Sequence, residues 1–358
     1  MSDARAPSTA GSGSSAALPT RRLGATGMEI TRVGFGAWAI GGGGWAYGWG
    51  AQDDRESITA IRHAIDRGIN WIDTAAAYGL GHSEEVVRRA LEALPQDERP
   101  YVFTKCGLVW DERDRAAPPR RVGAPASVRR ECEASLRRLG VERIDLYQMH
   151  WPAEDGTPVE DYWRALLDLK AEGKVRAVGL SNHHVALLER AEPLGHVETL
   201  QPPFSAIRRQ AAPELAWCAE HDTGVIVYSP MQSGLLSGRF SEARARQLGP
   251  DDWRSNSPDF TGEGLKRNLA LAGALRPVAD RHGTTVAAVA IAWTLAWRGV
   301  TAAIVGARSP EQVDGWLDAA RLELDAEDLA EIAAAIEHTG AGKGPVRPGS
   351  EARGARGR

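Results

Sequence analysis

An alternation of short apolar runs with helix-spaced repeats, carried through almost the whole chain, limits what this sequence can fold into more than any other feature. The strand-like runs are 33–36, 69–72, 101–105, 144–150, 175–180, 198–201, 225–228 and 302–305. Between them the period changes to that of a helix. Residues 55–67 repeat Ile58, Ile61 and Ile65 and stop at Gly68, a good C-cap. Ser83, followed by Glu84 and Glu85, is a candidate N-cap for a helix carrying Val86, Val87, Ala90, Leu91 and Leu94. Val128, Cys132, Leu136 and Leu139 form one helical face closed by Gly140. Helices over 158–172, 184–191, 214–221, 286–297 and 310–320 continue the series, and 325–338 adds one more. A hairpin over 21–31, turning at Gly24–Gly27, precedes it, and polar or small-residue loops fill 108–125 and 229–257. Strict β–α alternation predicts an α/β fold with a parallel sheet. Eight such units favour a closed (β/α)8 TIM barrel, with an open doubly wound sheet as the alternative.

A length of 358 residues is enough for two domains, but one barrel absorbs about 250 residues or more. The unbroken alternation predicts a single domain over 21–340, with an N-terminal hairpin and an extra C-terminal helix. Residues 1–20, rich in Ala, Ser, Gly and Pro without a hydrophobic signal core, predict a disordered tail, and 341–358 a flexible one. A net charge of −4 with both signs interspersed gives no basic surface for nucleic acid or an anionic membrane. No apolar run reaches membrane-spanning length. Cys106, Cys132 and Cys218 are too few and too scattered for a disulfide framework or a thiolate metal site. A reducing cytoplasm is the expected setting, with no metal.

If the barrel forms, Asp73, Lys105 and His150 stand at the C-terminal ends of its second, third and fourth strands, with Tyr78 in the loop beside them. Neighbouring strands lie about 5 Å apart, so the four groups can converge on one patch. A free phenol, with a pKa of about 10, is a poor acid at neutral pH. A lysine beside it is expected to lower that value, a carboxylate to hold the lysine, and a histidine to donate to a substrate oxygen. Such a set suits proton transfer to an oxygen that is gaining negative charge. Each residue alone has a plainer reading: a loop-capping aspartate, a surface tyrosine, a lysine paired with any acid, a packing histidine. All four at successive strand ends do not.

These residues lie in DTAAAYG, TK and QMHWP, which resemble the catalytic tetrad of the aldo-keto reductases. VRAVGLSN, LQPPFS, YSPMQSGLLSGRF and GARSPEQV follow in family order, so the likeness runs from about Arg22 to His338. The opening GAWAIGGGGW resembles most the bacterial general-stress branch. The resemblance implies a barrel that binds NADP(H) at its C-terminal mouth and reduces a small-molecule aldehyde or ketone. Tyr78 would be the general acid, Lys105 and Asp73 its tuning partners, and His150 the donor that orients the carbonyl. It further implies that Ser181, Asn182 and Gln201 hold the nicotinamide carboxamide and that Tyr228 stacks on the ring. Ser229, Gly234, Leu236, Ser237 and Arg239, with Gly238, would wrap the pyrophosphate, small residues letting backbone N–H groups approach it. Gly306, Arg308 and Gln312 would meet the adenosine end, where a helix N-terminus and a cation favour a phosphate. Trp316 stands where many relatives carry asparagine.

Other signals carry less. Gly34, Gly36 and Ala39 fit G-x-G-x-x-A, but the fingerprint needs a helix to begin inside it, and Gly41–Gly44 follow instead. Trp38 and Trp151, directly after strands, are read as substrate-pocket walls, while Trp45, Trp49 and Trp110 stay open between pocket and packing. His183 and His184 are adjacent and do not face one metal, so solvent exposure is expected. A slow-turnover, cofactor-binding regulatory subunit of the same fold is the alternative function. A carboxylate-pair hydrolase is disfavoured, since Lys105 stands where the second acid is needed.

Overall fold

Along a strand, side chains alternate between two faces, so one inward residue fixes which others on that strand face the barrel axis. In the computed structural model, which describes residues 17–249 and 252–349, this alternation sets the whole site. The strands are β1 (Thr20–Arg22), β2 (Glu29–Thr31), β3 (Val33–Gly36), β4 (Trp71–Asp73), β5 (Tyr101–Cys106), β6 (Leu108–Val109), β7 (Arg120–Arg121), β8 (Ile144–Met149), β9 (Val175–Ser181), β10 (Thr199–Gln201), β11 (Gly224–Tyr228) and β12 (Val300–Gly306). β1–β2 and β6–β7 are small antiparallel hairpins. The other eight pair in parallel in chain order, and β12 returns to β3 through Ala303↔Val33 to Gly306↔Gly36. That last pairing closes the barrel and rules out the open sheet.

The helices are α1 (Asp54–Asp66), α2 (His82–Leu91), α3 (Pro125–Leu139), α4 (Val159–Ala171), α5 (Val185–Ala191), α6 (Ala212–Glu220), α7 (Glu242–Arg246), α8 (Gly262–Ala274), α9 (Arg276–Arg281), α10 (Val286–Leu295), α11 (Pro310–Asp314) and α12 (Ala326–Thr339). Local chemistry sets several of their ends. The Asp53 carboxylate accepts the N–H groups of Arg55 and Glu56, Asp325 and Asp328 form a capping box, and Gly140 (φ 66°) ends α3. None of the described helices is long and apolar enough to cross a membrane.

Two apolar cores result. The outer one lies between strands and helices, and the inner one holds Trp71, Phe103, Leu146, Ala177, Ile226 and Ala302 from the barrel strands. Leu23, Met28 and Ile30 of the N-terminal hairpin join that inner core, so the hairpin plugs the bottom of the barrel. Two residues further along the same strands come Asp73, Lys105, Gln148, Tyr228 and Ile304, and four further come His150 and Ser181. The chemistry-bearing side chains are thus the top layer of a filled barrel.

Several local expectations change. The N-cap of α2 is Gly81; the Ser83 hydroxyl instead meets Thr74 Oγ1 at 2.9 Å and donates to Ala37 O at 3.0 Å, tying the loop to the strand ends. The stretch between β11 and α10 carries α7, α8 and α9 in addition to its loops. Its glycines (Gly262, Gly264, Gly273) obscure the buried repeat Leu265, Asn268, Leu271 and Ala272. The 310–320 helix breaks at Gly315 into α11 and a 3-10 turn, Leu317–Ala320. Residues 108–125 include the β6–β7 hairpin.

The tails expected over 1–20 and 341–358 lie largely outside the described residues. Within them, Leu18 packs into the outer core and Thr20 pairs with Thr31. Arg209, almost wholly buried and without a carboxylate partner among the described residues, donates to the carbonyls of Ala206, Ala341 and Gly344, drawing residues 341–344 against the β10–α6 connection.

Gly34 shows why one glycine of the false fingerprint is needed. A Cβ there falls 2.1 Å from the Trp71 indole, inside the inner core. Gly34→Ala is therefore expected to overpack the barrel and cost about 1–3 kcal/mol, measured by chemical denaturation. A variant as stable as the parent would mean that Trp71 yields freely.

Candidate active site

Asp73, the last residue of β4, is buried and accepts Lys105 Nζ at 2.6 Å on Oδ2. Lys105 comes from β5, and its side chain is fully excluded from solvent. Its ammonium has three N–H donors, and three acceptors surround it: Asp73, the Thr74 carbonyl at 2.8 Å and the Tyr78 hydroxyl at 3.4 Å. Because Tyr78 accepts from Lys105, its own O–H points elsewhere, toward the cavity that it lines. His150, just past β8, stands edge-on to the Tyr78 ring with centroids 5.7 Å apart. The four residues of the expected tetrad therefore meet.

Their protonation follows from burial. Desolvation holds Asp73 above the usual carboxylate range, against the pull of Lys105 and Gln201. Burial pushes Lys105 down, and Asp73 opposes that. Burial also pushes Tyr78 well above its ordinary value, with Asp73 and Tyr228 adding to the rise. This corrects the expectation of a phenol lowered by its lysine: the Lys105 contact is long, and Asp73 at 2.6 Å already neutralises much of its charge. Tyr78 is a protonated donor through neutral pH. Burial, Lys105 and Arg121 push His150 well below 6.5, so its ring is neutral. Nδ1 of His150 is buried without a partner. An orphaned acceptor is cheaper than an orphaned N–H, which puts the ring proton on Nε2.

These groups open into a cavity of about 790 Å³. Trp38 and Trp151 line it, and so do Trp45, Tyr47 and Trp49 from the same loop as Trp38. The indole N–H groups of Trp38 and Trp45 donate to Tyr47 O and Gly42 O, which leaves apolar ring surface 6.4 and 6.5 Å from the Tyr78 centroid. Trp110 lies off this wall, with its N–H on Glu112. Arg121 of β7 stacks 4.5 Å over Trp151.

Ser181, Asn182, Gln201 and Tyr228 form a linked set on the opposite wall. Ser181 Oγ donates to Gln201 O (2.9 Å), Asn182 Nδ2 to His150 O (2.9 Å), and the Tyr228 hydroxyl to Asn182 Oδ1 (2.8 Å). Asn182 takes a left-handed φ of 62° to do this. His183 is buried, not exposed: Tyr162 and the Ser181 carbonyl flank its ring at 2.8 Å each, and burial lowers it to about 4. Ser229, Gly234, Ser237 and Arg239 line the cavity, in a loop where Ser229, Gln232, Ser233 and Gly234 all have positive φ. Leu236 does not line it. Its side chain is in the outer core and its N–H is committed to Met231 O, so neither faces a ligand; Gly238 packs near Val286.

Gly306, Arg308, Gln312 and Trp316 form the far end. Arg308 is engaged there by the Ala51 carbonyl at 2.5 Å and by the Gln52 side chain, and its N–H donates to Gln312 Oε1 at 2.9 Å. Trp316 is buried with its indole N–H unpartnered. Sequence reasoning missed Arg121, Arg244 and Arg254, which sit on elements of two to five residues, β7, α7 and the 3-10 turn Trp253–Asn256, too short to show a period. With Arg239 and Arg308 they give the cavity five cationic side chains against Asp73 alone. A long cavity with that charge fits a dinucleotide with its pyrophosphate.

A family model described as the aldo/keto reductase family matches residues 32–337. The chain belongs to that family. Aldo-keto reductase YhdN of Bacillus subtilis is 33% identical over 316 residues, covering 88% of this chain and 92% of that one. An NADH-specific methylglyoxal reductase of Escherichia coli is 34% identical over 330 residues, covering 88% and 98%. Among solved structures, a glycerol dehydrogenase of Gluconobacter oxydans superposes with a TM-score of 0.82 at 36% identity, over 91% and 97% of the two chains. An aldo-keto reductase of Klebsiella pneumoniae in complex with NADPH gives 0.65 at 27%, over 88% and 94%. As an aldo/keto reductase, this protein is an oxidoreductase that works with a nicotinamide cofactor.

The Asp73–Lys105 pair yields a stability prediction for this reductase. Lys105→Met strands a buried carboxylate and is expected to cost about 3–5 kcal/mol. Adding Asp73→Asn should recover most of that loss in chemical denaturation. Single and double variants that are equally destabilised would show that the two charges do not act as a unit.

Proposed function

We propose that this protein reduces aldehydes or ketones to alcohols with NADPH as the preferred cofactor and Tyr78 as the proton donor. The observation that carries this reading is the buried phenol whose oxygen is held by Lys105 while its O–H faces an apolar, aromatic-walled cavity. When bound, the cofactor supplies the hydride that the carbonyl carbon receives. His150, neutral and carrying its proton on Nε2, orients the carbonyl oxygen by a hydrogen bond. Tyr78 transfers its proton to that oxygen as negative charge develops there. The resulting phenolate sits 3.4 Å from Lys105 Nζ, and in a dry site that contact strengthens as the charge appears. The indole faces of Trp38, Trp45 and Trp151 keep water from the reacting carbon, and Tyr78 regains its proton from solvent through the open mouth.

The direct test is a panel of carbonyl compounds, followed by loss of NADPH absorbance. Tyr78→Phe is expected to lower turnover by about 10²- to 10⁴-fold with cofactor affinity nearly unchanged, because general acid catalysis is worth that much and the phenol touches no nucleotide. Reduction should be flat in pH through neutrality, fall in acid as Asp73 is protonated and Lys105 loses its anchor, and fall in alkali as Tyr78 titrates above its ordinary value. Near-parental reduction by the phenylalanine variant would overturn the assignment.

Cofactor choice rests on Arg308. A 2′-phosphate adds up to about two charges, and charge-assisted bonds to a guanidinium contribute roughly 1.5–3 kcal/mol. Here the phosphate must draw Arg308 from Ala51 and Gln52, so its net gain is smaller than for a free arginine. Arg308→Ala is expected to weaken NADPH binding by about tenfold and to leave NADH almost untouched. Equal losses for both nucleotides in titrations at fixed salt would show that Arg308 does not read the phosphate.

A further inference from the structure

Asp73 gives its two oxygens to partners on opposite sides of the barrel. Oδ2 takes Lys105 from the adjacent strand, β5; Oδ1 takes the side-chain N–H of Gln201 at 2.9 Å. Gln201 ends β10, and β4 and β10 are four places apart in a closed ring of eight, so this bond spans the diameter. It is the kind of contact that only a closed barrel makes. Both residues are only 2% exposed, yet both line the cavity. The second amide N–H of Gln201 and its Oε1 remain for whatever the cavity holds.

We propose that Gln201, which the family likeness already implies as a seat for the nicotinamide carboxamide, is at the same time a positioning residue for the acid pair: the same amide holds the carboxylate that anchors Lys105. The inference rests on the cofactor reading above and adds the link to the acid pair. A primary amide is planar, with its two N–H bonds at a fixed angle. Committing one to Asp73 sets the direction of the other and of the carbonyl, so the amide is aimed before the cofactor arrives. The same bond stabilises Asp73 as a carboxylate, since a donor to the charged form favours ionisation. The other titratable groups around Asp73 are Lys105 from β5, Tyr78 from the β4–α2 loop, Tyr228 of β11, His150 past β8 and Glu84 of α2 behind Lys105. Among the groups that favour the ionised carboxylate, only Gln201 is itself uncharged and therefore acts at every pH.

Gln201→Met, unbranched and of similar length, removes both tasks without opening a large void. Two measurements separate them: cofactor affinity from quenching of tryptophan fluorescence in the absence of substrate, and the pH profile of kcat for carbonyl reduction at saturating cofactor. Affinity should fall about tenfold. The acid limb of kcat should move to higher pH, because Asp73 without its second donor is harder to ionise and Lys105 then loses its anchor sooner as pH falls. If Gln201→Met does not fold, Gln201→Asn keeps the amide on an arm too short to span the barrel and should give the same pair of changes. Weakened affinity with an unmoved limb would mean that Gln201 serves the cofactor only, and a moved limb with unchanged affinity that it serves the acid only; either overturns the double role. Failure of the parent protein to bind any nicotinamide cofactor is a different result, one that overturns the proposed function itself.

Discussion

A lysine and an aspartate excluded from water at the top of a filled barrel set the terms for everything around them. Removing two charges from water costs several kcal/mol each, and attraction at 2.6 Å offsets that only if the remaining donors and acceptors are met. They are met here by the backbone carbonyl just past β4, a tyrosine hydroxyl and a glutamine amide. Satisfying the ion pair fixes which way the phenol can point. Solvation of a buried pair and aim of a phenol O–H are one geometric problem, solved by residues from β4, β5 and β10 and the loop after β4.

Reaction chemistry and ligand capture are built from different parts. Asp73 and Lys105 stand in strands paired on both sides, which holds them rigid, with His150 just past a strand end and Tyr78 in the short loop after β4. The five arginines and the tryptophan wall come mainly from connections, where length and composition are less constrained. The Trp38–Gln52 loop reaches both ends of the cavity, with Trp38 beside Tyr78 and Ala51–Gln52 against Arg308. The tryptophan wall and the Arg308 end of the cavity are therefore mechanically one piece.

Much of this was legible in the sequence for a simple reason. Periods of two and 3.6 are imposed by backbone geometry, so alternation revealed the barrel. Counting by two from Trp71 or Phe103 then puts Asp73 and Lys105 inside it. What escaped has no period. α8 hid behind three glycines, and Arg244 and Arg254 lie on a five-residue helix and a 3-10 turn that only folding brings to the cavity. The burial of His183 depends on Tyr162, twenty-one residues away on another element. Gln201 was legible as an amide at a strand end, but its bond to Asp73 was not, because that bond exists only once the ring is closed. The Tyr78 phenol was misjudged in sign, since charge neighbours can be guessed from spacing whereas depth of burial cannot.

The hairpin that plugs the barrel floor makes the site a blind well. Leu23, Met28 and Ile30 seal one end and the Trp71–Phe103 layer fills the middle, so no back door exists among the described residues. All traffic shares one opening. Whatever settles deepest must arrive first and depart last, and an occupant nearer the rim imprisons the one beneath it. Sequence of arrival and departure is thus written into the floor of the molecule, far from any residue that touches a reactant.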